Sequence, residues 1–302
     1  KYPQKTALIT EEGEYTYETL SCYIKTLISS FEDNIREGEL VAINLKKSVW
    51  QIAAVYAVLY SKGTYVPIDI NQPIMRKRKI IQSAGIKIMF SDEPEPDLED
   101  LVKNIVVNDL PVSKPMEHIH IEQNYDRPAY IIFTSGTTGD PKGVIISHKA
   151  AMNTILDMRE RYNLNEEDIF LGLSNLSFDL SVFDIFGCYL VGGTLVLPDT
   201  SKTKDSKYLS DLILLKRITI LNGVPAQIQL IINYMDSVVG ARKNPFIRLV
   251  IMSGDWIPVN LPEKLYSLFN NVKVVSCGGA TEAAIWSIAY DIKKEEVFHK
   301  SI

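Results

Sequence analysis

The chain contains 302 residues, carries a formal net charge of −5 and is 46% hydrophobic. Such a chain is long enough for about two domains with a sizeable core, and its composition excludes a disordered polypeptide. The negative charge argues against a nucleic-acid partner, and the short basic run at residues 76–79 is interpreted as a solvated helix face.

The three cysteines, Cys22, Cys188 and Cys277, are widely spaced and form no Cys-x-x-Cys pair. This spacing indicates neither a disulfide framework nor a zinc site, so a reducing compartment is expected. No signal segment is visible at the start of the sequence, and no apolar stretch reaches the roughly 18 residues that span a membrane. The sequence therefore predicts a cytoplasmic protein without a membrane partner.

Apolar runs of strand length alternate with amphipathic stretches of helix length, which is typical of α/β layers around mainly parallel sheets. In the first third of the chain, the predicted strands are 40–45, 64–67 and 86–90. The predicted helices are 48–60, closed by Gly63, and 74–84, closed by Gly85. Residues 92–101 are rich in Asp, Glu and Pro, which predicts a mobile excursion.

The same alternation continues to the end of the sequence. The predicted strands there are 129–133, 143–146, 169–173, 194–197, 219–221, 249–252 and 273–276. The predicted helices are 148–162, 182–190, 205–215, 225–235 and 261–269. These elements predict two layered α/β lobes, one formed by residues 1–120 and the other by residues 121–302.

A loop rich in glycine and hydroxyl groups follows the predicted strand 129–133. Its possible donors and its glycines are Thr134, Ser135, Gly136, Thr137, Thr138, Gly139, Lys142 and Gly143. Because glycine lets backbone amides approach a ligand closely, the loop is expected to hold phosphate groups. It is not a Walker A motif, since only two residues separate Gly139 from Lys142 and Gly143 follows the lysine. The alternative is an ordinary surface turn.

Five segments resemble, in order, the core motifs of amino-acid adenylation domains of nonribosomal peptide synthetases, which belong to the adenylate-forming enzymes. They are Tyr-Thr-Tyr-Glu-Thr-Leu at 15–20, Lys-Gly-Thr-Tyr-Val-Pro-Ile-Asp at 62–69, the phosphate-loop candidate at 133–143, Phe-Asp-Leu-Ser at 178–181 and Gly-Gly-Ala-Thr-Glu at 278–282. The fifth departs from the commoner Tyr-Gly-Pro-Thr-Glu at Gly278 and Ala280. The resemblance implies the N-terminal subdomain of the adenylate-forming fold, without most of its β-barrel part and without its C-terminal subdomain.

The resemblance also implies a ligase that uses ATP and Mg²⁺ to form an aminoacyl adenylate for a peptidyl carrier domain, beside other synthetase domains. Lys142, Thr281 and Glu282 match catalytic positions, and Glu282 matches the magnesium ligand. The positions that match nucleotide contacts are Thr134, Ser135, Gly136, Thr137, Thr138, Gly139, Lys142, Gly254, Ser276, Cys277, Gly278, Gly279 and Thr281.

Asp179 matches the aspartate that pairs with the α-ammonium group of an amino-acid substrate. Such a carboxylate is costly to bury without a partner; the alternative role is a helix N-cap, and the two roles are compatible. The motifs align the substrate pocket with Asp179, Leu180, Phe183, Asn222, Ile251, Ser253, Cys277, Ile285 and Trp286. These small, mostly apolar walls resemble those of cysteine-activating synthetases, so cysteine is expected, followed by glycine or alanine.

Family segments beyond the fifth motif, including Tyr-x-Thr-Gly-Asp and the lysine of the C-terminal subdomain, have no counterpart in these residues. The chain as given is therefore expected to bind its substrates but to adenylate poorly. Two alternatives stay open: an acid:CoA ligase of the same superfamily, which Asp179 disfavours, and a non-catalytic module that binds nucleotide or amino acid.

Overall fold

The structure, a computed structural model, describes residues 1–31, 35–116, 124–135, 141–239 and 246–296. The chain divides into two compact units. The first contains Lys1–Asn153 and Asn175–Asp179, and the second contains Thr154–Ser174 and Leu180–Ile302. The division suggested by the sequence, at residue 120, is a different one, because two strands that follow residue 120 belong to the first unit.

The first unit is built on a six-stranded sheet of order β6-β5-β3-β4-β7-β8. All neighbours are parallel except β7 and β8, and β1 and β2, which are not part of this sheet, pair antiparallel with each other. The elements are β1 (Thr6–Thr10), β2 (Gly13–Thr16), α1 (Tyr17–Phe31), β3 (Leu40–Asn44), α2 (Val49–Tyr60), β4 (Thr64–Pro67), α3 (Ile74–Ala84), β5 (Ile88–Ser91), β6 (Lys103–Val106), β7 (Pro128–Ser135) and β8 (Pro141–Ser147). The helix α4 (His148–Arg161) contains the boundary between the units.

The end of α2 differs from the prediction. Ser48 caps the start of the helix by accepting a hydrogen bond from the amide of Gln51, as a serine at this position is expected to do. At the other end, the left-handed residue is Lys62, with φ +62°, and not Gly63. The amide of Gly63 instead donates to the carbonyl of Val58 at 2.9 Å, which closes the last turn.

Residues 92–101 are held in place, so the predicted mobile excursion is wrong. Leu98 is fully buried, and Glu95 accepts hydrogen bonds from Lys77 and Asn44 at 3.2 and 2.7 Å. The interpretation of residues 76–79 as a solvated helix face is also wrong in part, because the Lys77 side chain is only 7% exposed. Two of these basic residues are therefore structural, since Arg78 in turn donates to Asp100.

The second unit carries six adjacent strands in the order β14-β13-β12-β11-β9-β10. They are parallel except for the antiparallel pair β13 and β14. The elements are β9 (Ile169–Leu171), α5 (Leu180–Val182), α6 (Cys188–Val191), β10 (Thr194–Val196), α7 (Ser206–Leu215), β11 (Ile220–Gly223), α8 (Pro225–Val239), β12 (Leu249–Met252), α9 (Leu261–Leu268), β13 (Lys273–Gly278) and β14 (Ile288–Ile292). The predicted class, layered α/β structure with mainly parallel sheets, is confirmed.

Some secondary-structure elements differ from the predicted ones, and others were not predicted. The predicted helix 182–190 is two short α-helical pieces joined by a π-helical turn over Phe183–Gly187. The sequence analysis did not predict the first two strands, the first helix, β6 or β14. Within the described part of the chain, no helix combines the length and the apolar character needed to cross a membrane.

A buried carboxylate ties together the amino ends of three parallel strands. Asp168, which directly precedes β9, is only 2% exposed and accepts hydrogen bonds from Thr219 Oγ1 at 2.9 Å and Arg248 Nε at 2.7 Å. Thr219 directly precedes β11 and Arg248 directly precedes β12. The carboxylate therefore fixes the starting points of β9, β11 and β12 relative to one another.

Replacing Asp168 with Asn is expected to destabilise the protein by about 2 to 4 kcal/mol, because the Arg248 guanidinium loses a buried counter-charge. Urea unfolding followed by circular dichroism measures the free energy of unfolding. Asp211→Asn is the matched control: its ion pair with Lys207 is exposed, and its loss is expected to leave the free energy of unfolding nearly unchanged. Equal losses in the two variants would contradict the structural role of Asp168.

Candidate functional site

The phosphate-loop candidate is the tip of the antiparallel β7–β8 hairpin in the first unit. Thr134 pairs with Lys142 and Ser135 with Pro141, and Thr134 Oγ1 lies 3.5 Å from the carbonyl oxygen of Lys142. Lys142 is exposed. Gly136, Thr137, Thr138 and Gly139 lie outside the described residues. Because the loop returns into a strand rather than into a helix, the structure supports the conclusion that this is not a P-loop.

Gly143 has a packing reason that the sequence did not reveal. A Cβ atom at this position would lie 2.8 Å from Ile131 Cγ2 and 3.1 Å from Phe133 Cζ. Both side chains extend from β7 over the facing strand β8, and Gly143 is the register partner of Phe133. The glycine therefore lets the base of the hairpin close tightly.

Asp179 lies near the strand that carries this hairpin. Tyr130 on β7 is fully buried, and its ring centroid lies 5.6 Å from that of Tyr65 on β4. Burial and the negative charge of Asp179 raise the pKa of Tyr130 well above its usual value. The half-buried Asp179 is therefore close enough to β7 for its charge to act on Tyr130, a neighbour that the sequence analysis did not single out.

In the second unit, several predicted pocket residues occupy one face of the sheet, here called the β11–β13 face: Asn222, Ile251, Ser253 and Cys277. Asn222 pairs with Ile251, and Ile251 pairs with Val275. Paired residues of parallel strands point to the same side, as do residues two apart on one strand. All four members of the face are at most 5% exposed.

The segment from α5 to the π-helical turn packs on this face. Asn222 Nδ2 donates to the carbonyl of Leu180 at 3.1 Å and to Asp184 Oδ1 at 2.9 Å. The ring centroid of Phe183 lies 5.1 Å from that of Trp286 and 5.9 Å from that of Phe170. These contacts join Asn222 to Leu180 and Phe183 to Trp286, four of the residues that the motif alignment assigns to the pocket.

Trp286 is held by a strained turn after β13. Ala284 and Ile285 have φ values of +56° and +80°, which are unusual for residues with a side chain and costly for the β-branched Ile285. Thr154 Oγ1 donates to the carbonyl of Ala284 at 2.8 Å. The Trp286 indole Nε1 donates to Ser253 Oγ at 3.0 Å. The side chains of Ile285 and Trp286 are both buried.

The remaining predicted nucleotide and metal residues surround this turn. Ser276 and Gly278 alternate with Cys277 on β13 and so face the other side of the sheet. Gly254, with φ +87°, follows Ser253. Thr281 and the exposed Glu282 lie on the 3-10 turn Thr281–Ala283.

Glu282 fits Mg²⁺ better than a transition metal. Across the described ranges, no three His, Cys, Asp or Glu side chains form a cluster that could hold a metal ion. Proteins usually bind Mg²⁺ through one or two carboxylates together with substrate phosphates, whereas structural zinc needs four protein ligands. A single exposed carboxylate is consistent with the first arrangement.

Gly279 permits the close approach on which the strained turn depends. A Cβ atom there would lie 2.6 Å from the carbonyl oxygen of Ile285 and 2.8 Å from the Cα atom of Trp286. At Gly278, nothing lies within 4 Å of such an atom. Neither glycine has a positive φ. The alanine substitutions at the two positions therefore differ only in the space available to the added methyl group.

Gly279→Ala is therefore expected to displace the turn and to destabilise the protein by about 1 to 3 kcal/mol. Gly278→Ala is the matched control, with an expected change of less than about 0.5 kcal/mol. Urea unfolding measures the free energy of unfolding of both variants. Tryptophan fluorescence, to which Trp50 and Trp256 also contribute, should change in the Gly279 variant if Trp286 is displaced. A Gly279 variant as stable as the Gly278 variant would show that the close approach is not needed.

Cys277 is not suited to act as a nucleophile. Its thiol is buried, and desolvation raises its pKa to about 12, although Arg161 acts in the opposite direction. A group whose pKa is higher in the folded than in the unfolded state stabilises the fold at lower pH. This contribution is lost as the pH rises from about 9, the usual thiol value, towards about 12.

In the native protein at pH 8, Ellman's reagent is expected to label Cys22, which is partly exposed, and to leave Cys188 and Cys277 unlabelled until urea is added. Cys22→Ala is expected to abolish this labelling of the native protein. Rapid labelling of one thiol in the folded Cys22→Ala protein would contradict the burial of Cys277 and Cys188.

Comparison with known families agrees with these features. The description AMP-binding enzyme applies to the family profile that matches residues 1–301. The chain therefore belongs to the AMP-binding enzyme family, which confirms the class of enzyme that the five motifs predicted.

Individual relatives are large synthetases. Pyochelin synthetase PchF of Pseudomonas aeruginosa is 38% identical over 304 residues, which are 99% of this chain and 17% of that protein. Bacitracin synthase 1 of Bacillus licheniformis is 38% identical over 305 residues, 99% of this chain and 5% of that protein. The solved nonribosomal peptide synthetase FmoA3 has a TM-score of 0.86 and 30% identity, covering 100% of this chain and 32% of that one. The chain thus spans less than a third of the length of these relatives.

Proposed function

We propose that the chain is the N-terminal part of an adenylation domain that activates an amino acid with ATP. The observation that carries this proposal is the buried group of pocket walls in the second unit. Phe183 packs against Trp286, and the Trp286 indole donates to Ser253. Asn222 donates to Leu180 and Asp184, which lie on either side of residues 181–183. Membership of the AMP-binding family supports the nucleotide half of the reaction.

In this reaction, a carboxylate oxygen of the amino acid attacks the α-phosphorus of ATP, and the bond to pyrophosphate breaks. Negative charge grows on the phosphate oxygens and on the departing pyrophosphate, so donors and cations are the groups that stabilise it. Lys142 and the hydroxyl groups of the hairpin supply these donors, and Thr281 contacts the α-phosphate. Glu282 would hold Mg²⁺, which would supply further positive charge.

Asp179 is assigned to the α-ammonium group of the substrate. A carboxylate is the natural partner of an ammonium group, and their hydrogen bond is stronger than one between neutral groups. The structural role as an N-cap fits as well, because Asp179 directly precedes the first residue of α5. An acid:CoA ligase acting on fatty or aryl acids has no need of this carboxylate, which makes it the weaker alternative.

The substrate side chain is small and neutral, with cysteine as the first choice and glycine or alanine next. The walls are mostly apolar, and Phe183 and Trp286 limit their volume. FmoA3, at 30% identity, has been solved with α-methyl-L-serine-AMP bound. The activated amino acid is proposed to pass to a peptidyl carrier domain of a larger cytoplasmic synthetase, as the resemblance to PchF suggests.

Amino-acid-dependent exchange of pyrophosphate into ATP tests the function, in the polypeptide with its native flanking sequence. Asp179→Asn is expected to raise the KM for the amino acid by roughly 10- to 100-fold and to leave the KM for ATP nearly unchanged. Lys142→Ala is expected to raise the KM for ATP and to leave the KM for the amino acid nearly unchanged. Exchange stimulated by fatty or aryl acids but by no amino acid would favour the acid:CoA ligase.

One control variant separates these roles from general damage. Lys149→Ala removes an exposed lysine of the first unit and should leave both KM values unchanged. If neither Asp179→Asn nor Lys142→Ala alters any constant, the assignment of both residues is wrong. Nucleotide binding without any exchange would favour a non-catalytic module, and the same assay on residues 1–302 alone tests the expected poor adenylation.

A further inference from the structure

The turn from Ala284 to Trp286 has the hydrogen-bond pattern of a γ-turn. The amide of Trp286 donates to the carbonyl of Ala284, two residues back, at 3.2 Å, and the intervening Ile285 has a φ of +80°. A γ-turn with a positive φ at its centre is the rare and strained form, and a β-branched residue is especially unfavourable there. Such a turn persists only where its surroundings hold it.

The same carbonyl accepts a second hydrogen bond from a distant helix. Thr154 Oγ1 on α4 donates to the carbonyl oxygen of Ala284 at 2.8 Å, across 130 residues of sequence. A threonine within a helix can return its hydroxyl hydrogen to a carbonyl of the preceding helical turn. The hydroxyl group of Thr154 is directed instead at the strained turn. Ala284 is only 4% exposed, so water does not readily replace this donor.

The strained turn leads directly to a buried wall of the proposed amino-acid pocket. The Trp286 indole donates to Ser253 Oγ at 3.0 Å, and its ring centroid lies 5.1 Å from that of Phe183. If Ile285 adopted a negative φ, the chain would enter Trp286 from another direction, and the indole would lose these two contacts. The position of the indole therefore depends on the conformation of the turn.

We propose that Thr154 is a positioning residue for amino-acid recognition: its hydroxyl group holds the γ-turn at Ile285 and thereby keeps Trp286 in place as a pocket wall. Thr154 is not one of the residues that the motifs assign to the pocket, and it acts on the substrate only through the turn. The inference rests on the proposed amino-acid activation and deepens it, because it adds a residue outside the pocket on which the affinity for the amino acid depends.

The neighbouring residues assigned to nucleotide and metal are expected to be less affected. Thr281 and Glu282 lie on the preceding 3-10 turn, which is closed by its own backbone hydrogen bonds. The amide of Ala283 donates to the carbonyl of Ala280 at 2.8 Å. The amide of Ala284 donates to the carbonyl of Thr281 at 3.2 Å. Neither bond uses the threonine hydroxyl group, so its loss should alter the site of the amino acid more than that of ATP.

Hydrogen–deuterium exchange of the native-length protein tests the hold on the turn. Thr154→Val keeps the β-branched shape but removes the donor. Peptides that contain the amide of Trp286 are then expected to exchange roughly 2- to 12-fold faster, the range that corresponds to one net hydrogen bond. Thr154→Ser keeps the hydroxyl group and is expected to exchange nearly as wild type does. Thr154→Ala, which lacks the donor but favours the helix, is a second variant with the same expectation if the valine variant folds poorly. Peptides from the rest of α4 should not change, which separates the loss of this contact from unfolding of the helix.

Exchange of pyrophosphate into ATP tests the consequence for the substrate, with cysteine, glycine and alanine supplied in turn. Thr154→Val is expected to raise the KM for the amino acid by roughly 2- to 12-fold and to leave the KM for ATP nearly unchanged. Thr154→Ser should keep the wild-type values. Thr203→Val is the matched control, because it removes a threonine hydroxyl group that donates to the backbone carbonyl of Thr200 at 3.2 Å in the same unit. It should leave both KM values and the deuterium exchange of the turn unchanged.

The outcomes separate this inference from the function beneath it. A folded Thr154→Val protein with an unchanged exchange rate at Trp286 would overturn the inference. Faster exchange with unchanged KM values would also overturn it, because the threonine would then have a structural role only. An equal rise in both KM values would have the same result, since the effect would not be confined to the pocket wall. All three outcomes leave amino-acid activation standing. If the wild-type protein activates no amino acid, the proposed function fails and the inference fails with it.

Discussion

The arrangement of the second unit depends on one buried carboxylate, that of Asp168. It lies at the amino ends of three parallel strands and bonds to Thr219 and Arg248, the residues that introduce β11 and β12. Strands that begin in register and rise about 3.3 Å per residue also end in register. Two residues after the pair Ile220 and Leu249, Asn222 and Ile251 consequently lie side by side where ligands of parallel sheets bind. The ion pair is distant from that edge, yet it sets the spacing of the groups found there.

The segments that cover the β11–β13 face are irregular, and their irregularity has a physical use. A π-helical turn contains Phe183 and Asp184, which pack against the sheet. Ala284 and Ile285 have left-handed backbone conformations, and they precede the buried Trp286. Both conformations cost free energy, and both are held by specific contacts: Asn222 for the first, Thr154 and the close approach at Gly279 for the second. Strain and π-helical turns of this kind concentrate at functional sites.

The regular elements could be predicted because their signals are local. Gly85 ends α3 in the left-handed conformation, Asp205 caps α7, and the apolar runs of β11 and β12 are buried as their composition indicates. The same reasoning fails at the end of α2, because Lys62 and not a glycine has the left-handed conformation there. Residues 92–101 look mobile by composition, but Lys77 and Asn44 hold them from positions distant in the sequence. The motif alignment assigns Asn222 to the predicted pocket. It could not give the orientation of its amide, because Asp184, 38 residues away, sets that orientation.

The predicted walls bear on which substrate side chain the proposed pocket would accept. All the predicted walls in the second unit are neutral: Leu180, Phe183, Asn222, Ile251, Ser253, Cys277, Ile285 and Trp286. The raised pKa of Cys277 keeps its thiol neutral at physiological pH. The carboxylate of Asp184 accepts a hydrogen bond from Asn222 and is thereby engaged on the protein side. A charged side chain placed among these walls would leave water without gaining a counter-ion, which is more costly than burying a thiol. Under the proposed function, charge recognition is therefore left to the α-ammonium and phosphate groups, for which Asp179 and Lys142 are the proposed partners, and the neutral walls select the side chain by its size.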